Sequence, residues 1–385
     1  TKEWKRVTDM NDRALRDIVI GLGGPKEGVP RESGYEKTAA SEVMAILCLA
    51  RDLNDLKRRL GNIFIGYTYD DKPLFARDLN AQGAMAVLMR DAIKPNLVQT
   101  LEGTPALIHG GPFANIAQGT NSLIATKMAL STSEYVVTEA GFASELGAEK
   151  FFDIKSQVGN LRTNAVVIVA TVRALKYHGG ARLSELTKEN LPALEKGFGN
   201  LDKHIENIKF FGFRPVIAVN RFDSDTDAEL SAIIDHCRSQ KIVAVVNEAW
   251  AKGGEGAVDL AHDLDGGEAC AGAEKKIETI CKKMYGADHV EYTVSAKEKL
   301  DSIDRLGLGS LAVCIAKTQK SLSDDASKRG RPEGFTVKIR DVELSSGAGF
   351  IVPIAGTIMR MPGLPAQPAA EKIDIDDNWV IKGLF

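Results

Sequence analysis

Cysteine is scarce in this chain of 385 residues: Cys48, Cys237, Cys270, Cys281 and Cys314 are the only ones, and no C-x-x-C pair occurs. An odd number without metal-ligand spacing argues against a disulfide framework or a zinc site. It suits a reducing cytoplasm, with Cys48 and Cys314 in apolar runs as small core residues. No run reaches the roughly 18 apolar residues of a membrane-spanning helix, and the opening TKEWKRVTDMNDR has no apolar segment of a signal peptide. Excess charge of one sign is also missing, since 49 Lys and Arg face 52 Asp and Glu for a net charge of -3. Composition therefore gives no support to nucleic-acid or membrane partners, and an anionic ligand must meet local positive groups. No G-x-x-x-x-G-K-[ST] word is present, so no loop of that kind cradles nucleotide phosphates on its amides.

What is present is alternation. NIFIGYTY, PALIHGG, YVVTEA, NAVVIVATV, RPVIAVN and KIVAVVN read as strands, with AQGAMAVLMRDAI, LPALEKGFGNLDKHIENIKFFG and DAELSAIIDHCRSQ as helices among them. Ala39 to Leu60 has helical spacing through Val43, Ile46, Leu47, Ala50 and Leu53. This pattern predicts an α/β fold around a mostly parallel sheet. Length allows two or three units, and three are expected: 1–195, 196–320 and 321–385. The second closes with helical AEKKIETICKKMYG and AVCIAK; the third holds strand-like FTVKIRDVEL and a Gly- and Pro-rich tail.

The most informative stretch runs from Val169 to Gly180, where a β-branched strand drives into a basic loop, RALKYHGG. Loops leaving the carboxyl ends of parallel strands are where ligands bind in open α/β sheets. Arg173, Lys176 and His178, with two permissive glycines, suit a phosphate or carboxylate there. The alternative is a strand ending in a plain polar turn. Phe222 and Trp250 also follow strands, VIAVN and IVAVVNEA. If those strands are parallel neighbours, both rings project near one edge and suit a flat heterocycle; otherwise they cap the core. His204, His236, His262 and His289 read as solvated or helix-surface residues. Asn220-Arg221-Phe222-Asp223 also fits the guanine-reading N-[KR]-x-D, a binding-module alternative without its phosphate loop.

The 169–180 word resembles a signature of the formate–tetrahydrofolate ligase family. So do WKRVTDMNDRALR (from Trp4), ASEVMAILCLA (from Ala40), DAIKPNLVQTLEGTPALIHGGPFANIA (from Asp91) and VVTEAGF (from Val136). AVNRF (from Ala218), WAKGGEGA (from Trp250) and GAGFIVPIAGTIMRMPGLP (from Gly347) continue the resemblance in order along nearly the whole chain. It implies ligation of formate to tetrahydrofolate through formyl phosphate, giving 10-formyltetrahydrofolate. Substrates would be ATP with Mg2+ and tetrahydrofolate, with dependence on a monovalent cation left open. The pterin is implied to lie against Phe222 and Trp250. The adenine is implied to be bordered by Ala114 and Phe142 and closed by the strand tail at Val246 and Glu248.

By the same resemblance the fold is P-loop-NTPase-like, truncated at its start, with two smaller α/β or α+β domains. Residues 1–195 would be the remainder of the nucleotide-binding domain, 196–320 the folate-binding domain and 321–385 a small C-terminal domain. A cytoplasmic homotetramer acting on small molecules is implied. Family members carry a phosphate-cradling loop in an N-terminal segment. A chain opening at Thr1 without it is expected to be the C-terminal two-thirds of a longer or split enzyme, so no catalytic residue is assigned. The sequence also departs from the family at FANIAQGTNS, where Gln118 and Thr120 stand for His and Cys, and at Ala143 and Ser144 near an expected glycine-rich turn. A carboxamide takes up no proton near neutral pH, as an imidazole does. A non-catalytic folate- or nucleotide-binding or assembly module is therefore the alternative.

Overall fold

The computed structural model describes residues 4–10, 12–262, 276–358, 373–375 and 381–382. Cys270 and the Gly- and Pro-rich tail from residue 359 to 372 lie outside the described residues. The architecture is mixed α/β. Among the described residues the strands are divided among sheets of two to four strands, not gathered into one large parallel sheet.

A three-stranded parallel sheet carries the middle of the chain, with Val216–Asn220 between Ala244–Asn247 and Val167–Thr171. Its middle strand is a continuous apolar run with Val216 to Val219 all buried. Helices Leu191–Phe210 and Asp227–Ser239 cover the face that carries Ile217 and Val219, through Leu194, Leu201, Ile205, Leu230 and Ile233. Burying side chains of this size stabilises by about 1.5–3 kcal/mol each. The second helix starts on a capping box, in which Thr226 Oγ1 accepts from the Glu229 amide while Glu229 accepts from the Thr226 amide.

A four-stranded mixed sheet, ordered His289–Tyr292, Thr336–Ser345, Phe350–Ala355, Ala312–Val313, lies later in the chain. It takes strands from both sides of position 320, and helix Leu191–Phe210 likewise runs across position 195. A shared core joins the chain's two ends. Ile46, Leu49, Leu56 and Leu60 of helices Glu42–Leu49 and Leu53–Gly61 pack with Cys314, Phe350, Val352 and Ile354. Two polar ties reinforce it: Arg59 donates to the Ala348 carbonyl at 3.0 Å, and the Gly347 amide donates to Glu42 at 2.7 Å.

Four local expectations need correction. Ala39 to Leu60 forms two helices because Asp52 caps the second, accepting from the Asp55 amide at 2.8 Å. YVVTEA pairs with no described strand and leaves Tyr135 and Val137 exposed; β-branched residues favour a strand only where a neighbour completes the ladder. AVCIAK is extended, with the Cys314 amide donating to Ile351 and that of Ala316 to Pro353, both at 2.8 Å. A short apolar run does not by its period separate helix from strand. RALKYHGG is a helical turn pair, Val172–His178, closed by Gly179.

All four described cysteines are free and buried. Burial pushes the thiols of Cys48 and Cys281 up to about 12, and those of Cys237 and Cys314 up to about 11.

Candidate functional site

The carboxyl edge of the parallel sheet is where the candidate residues gather. Register aligns Thr171, Asn220 and Asn247 side by side. Asn247 Nδ2 donates to Asn220 Oδ1 at 2.7 Å, and the Arg221 amide donates to the Asn247 carbonyl at 3.0 Å. Phe222 therefore leaves the edge two residues past the aligned position, and Trp250 three residues past it. The Phe222 amide donates to Asp225 Oδ2 and the Asp225 amide returns a bond to the Phe222 carbonyl, both at 2.9 Å. Phe222 is half-buried, whereas Trp250, on the single turn Ala249–Lys252, is 82% exposed. Among the described ring pairs the two aromatics are not in contact with each other.

Val246 lies on the last strand of this sheet, and Glu248 follows it. Lys252 donates to Glu248 at 2.5 Å and holds its carboxyl below the usual range. The Glu248 amide donates to the Gly256 carbonyl at 2.9 Å. A Cβ on Gly256 would lie 2.4 Å from the Glu248 carbonyl carbon, so the loop closes only with glycine. A distant carboxylate reaches the same loop: Glu102, from the tip of the hairpin Asn96–Gln99/Pro105–Ile108, accepts from the Gly254 amide at 2.6 Å.

Ala114 and Phe142 come together elsewhere. The Gly141 amide donates to the Gly119 carbonyl at 3.2 Å. A Cβ on Gly119 would sit 2.1 Å from that of Ala114, and one on Gly141 at 2.9 Å. This close approach sets Phe142 at φ 68°, strained for a bulky residue, and 56% exposed. Lys150, fully buried, donates to the Ala114 carbonyl at 2.6 Å. His109 is internal, its Nε2 on the Ala92 carbonyl at 2.7 Å and its Nδ1 on Ser122 Oγ at 2.6 Å. Gln118 is fully buried against the Ala45 carbonyl, and Thr120 is buried beside it in sequence, so both departures from the family's word lie in packed core.

The three cations take internal roles. Thr171 caps their helix by accepting from the Ala174 amide at 3.1 Å, which turns them back toward neighbouring elements. Lys176 is fully buried and donates to Glu229 at 2.9 Å and to the Lys188 carbonyl at 2.8 Å. His178 Nδ1 accepts from the Gly330 amide at 3.1 Å, and burial pushes the imidazole pKa down. Lys176 is thus paired with a carboxylate inside the protein, and His178 is engaged by the main chain. Arg173 donates to Ser224 Oγ at 3.1 Å and lies 4.7 Å from the centroid of the Phe222 ring.

Sequence reasoning missed a buried polar network just past Phe142. Ser144 Oγ meets His204 Nδ1 at 2.8 Å, Asn207 donates to Ser144 at 3.1 Å, and Lys317 donates to Glu145 at 3.1 Å. His204 is thus not a surface histidine, and His236 stacks on Phe198 with its Nε2 2.7 Å from Asp202. His262 and His289 are exposed as expected. Burial lowers the His204 pKa; for Glu145 burial acts upward, but Lys317 and His204 more than offset it. The partners lie 60 to 172 residues apart, and no local pattern marks them.

A cavity of about 300 Å³ lies at the other end of the parallel sheet, lined by Arg214, Arg238, Lys241 and Val243 among others. Candidate residues are absent from it, and the carboxyl edge is favoured because ligands of open α/β sheets bind there. A sequence model of formate–tetrahydrofolate ligase matches residues 1–385. Carried by a match over its whole length, the chain belongs to the formate–tetrahydrofolate ligase family of ATP-dependent enzymes.

Proposed function

We propose that tetrahydrofolate binds with its pterin against Phe222 and Trp250, and ATP with its adenine near Ala114 and Phe142, closed by Val246 and Glu248. The observation that carries this reading is the pairing of Asn220 with Asn247, which starts both ring-bearing loops from one sheet edge. Each ring stacked on a flat heterocycle contributes about 1–3 kcal/mol, by analogy with nucleic-acid bases. The adenine corner would be an apolar slot with a few polar atoms at its rim.

In the proposed reaction a formate oxygen attacks the γ-phosphorus of ATP, and ADP departs. The N10 amine of tetrahydrofolate then attacks the formyl carbon, phosphate leaves and N10 loses its proton. A carboxylate oxygen is a poor leaving group and phosphate a good one, which is why formyl phosphate is the proposed intermediate. Among the described residues no group of three or more His, Cys, Asp or Glu could hold a metal ion. Magnesium is read as entering with the nucleotide's phosphates, and no step is routed through it or through a monovalent cation. The parallel sheet is read as one layer of a P-loop-NTPase-like fold, and the working form as a cytoplasmic homotetramer.

Isothermal titration with tetrahydrofolate tests the folate site. Trp250→Ala should weaken binding about tenfold or more, equivalent to about 1.4 kcal/mol, without changing ATP binding. Unchanged folate affinity would overturn the assignment.

A further inference from the structure

We propose that Arg173 is a positioning residue for the folate site, backing one face of the Phe222 ring so that the other is held flat for the pterin. This rests on the reading of Phe222 as a stacking platform. Three observations converge on it. The guanidinium carbon lies 4.7 Å from the Phe222 ring centroid, within the range of a cation–π contact. Its Nη2 donates at 3.1 Å to Ser224 Oγ, two residues beyond the ring it covers. Thr171, which caps the helix bearing Arg173, is the register partner of Asn220 on the strand that delivers Phe222. The cation is thus anchored from the neighbouring strand and tied to the same turn as its ring.

The backbone of that turn is fixed separately. Reciprocal bonds between Phe222 and Asp225 hold the main chain, and Asp225 is itself buried. They leave the ring free to rotate about its side-chain torsions. Among the described residues no aromatic stacks on Phe222, and the guanidinium lies over its ring. A cation over one face also draws π density toward itself. The opposite face becomes less negative and better matched to an electron-rich aminopterin. The Arg173 Nη2 is engaged by Ser224, and Nε is buried without a hydrogen-bond partner.

The test is calorimetric titration of the full chain with tetrahydrofolate and, separately, with ATP. Arg173→Met should weaken folate binding about fivefold or more, the scale of a partly desolvated cation–π contact, and leave ATP affinity unchanged. Arg173→Lys, which keeps a cation, should recover most of the loss. Should Arg173→Met fail to fold, Ser224→Ala decides, with a smaller loss confined to folate. Phe222→Leu separates the two levels of the argument. Weak folate binding by Phe222→Leu beside wild-type binding by Arg173→Met and Ser224→Ala overturns the role of Arg173 alone. Wild-type binding by Phe222→Leu overturns the platform itself, and equal losses for folate and ATP in Arg173→Met reduce Arg173 to general packing.

Discussion

Lys176 shows how little a residue's type says about its surroundings. In sequence it is a cation after a strand; in the fold it is buried against Glu229, 53 positions away. Removing one partner of such a pair leaves an uncompensated buried charge, so Lys176→Met should lower unfolding free energy by about 3–5 kcal/mol. Adding Glu229→Leu should recover much of that, measured by urea denaturation. That Phe222 and Trp250 each follow a strand was legible, and the condition that those strands pair in parallel is met, whereas His204 gave no local sign of Ser144 or Glu145. His204 also sets a pH dependence. Burial, then Lys317 and Lys203, lower its pKa below the ordinary 6.5, with Glu145 opposing. The unfolded chain binds that proton more readily, so this contribution is complete above about pH 6.5 and declines as pH falls through it. Wild type should lose stability between about pH 7 and about pH 5.5 more steeply than His204→Gln. Comparing the two separates this contribution from Glu149 and Asp153, whose carboxyl pKa values burial pushes up.

At the scale of elements, long periodic helices and the paired strands of the parallel sheet were readable. Errors fell where the chain changes direction or where a partner decides. The helix Val172–His178 begins on a Thr cap inside what looks like a continuing β-branched run, so its start is hidden. Thr171→Ala should cost about 1 kcal/mol by loss of the Ala174 amide's acceptor. It should also loosen Arg173, two residues on in the first turn, and weaken folate binding more than ATP binding in the same titration. YVVTEA has strand residues and no strand beside it among those described, and AVCIAK became extended because Phe350–Ala355 lay ready to pair with it. Residue type pointed to a strand in one and a helix in the other; the neighbour decided both.

Across the whole molecule, sequence order and spatial order part company. Boundaries near 195 and 320 follow composition along the chain, yet one core holds Ile46 and Leu60 together with Phe350 and Ile354. A chain ending at residue 320 would lose the strand Phe350–Ala355 that pairs with Ala312–Val313, and would expose that core. It should show no near-ultraviolet dichroism and rapid proteolysis, while the full chain melts cooperatively; a folded 1–320 fragment would contradict this account. The buried thiols have a practical consequence at the same scale. Cys48, Cys237, Cys281 and Cys314 are spread over the packed interior and kept protonated there. The thiolate is the form that attacks an alkylating reagent and displaces its halide, so with Cys270→Ser in place iodoacetamide uptake becomes a clock for how often each region opens, read site by site by mass spectrometry.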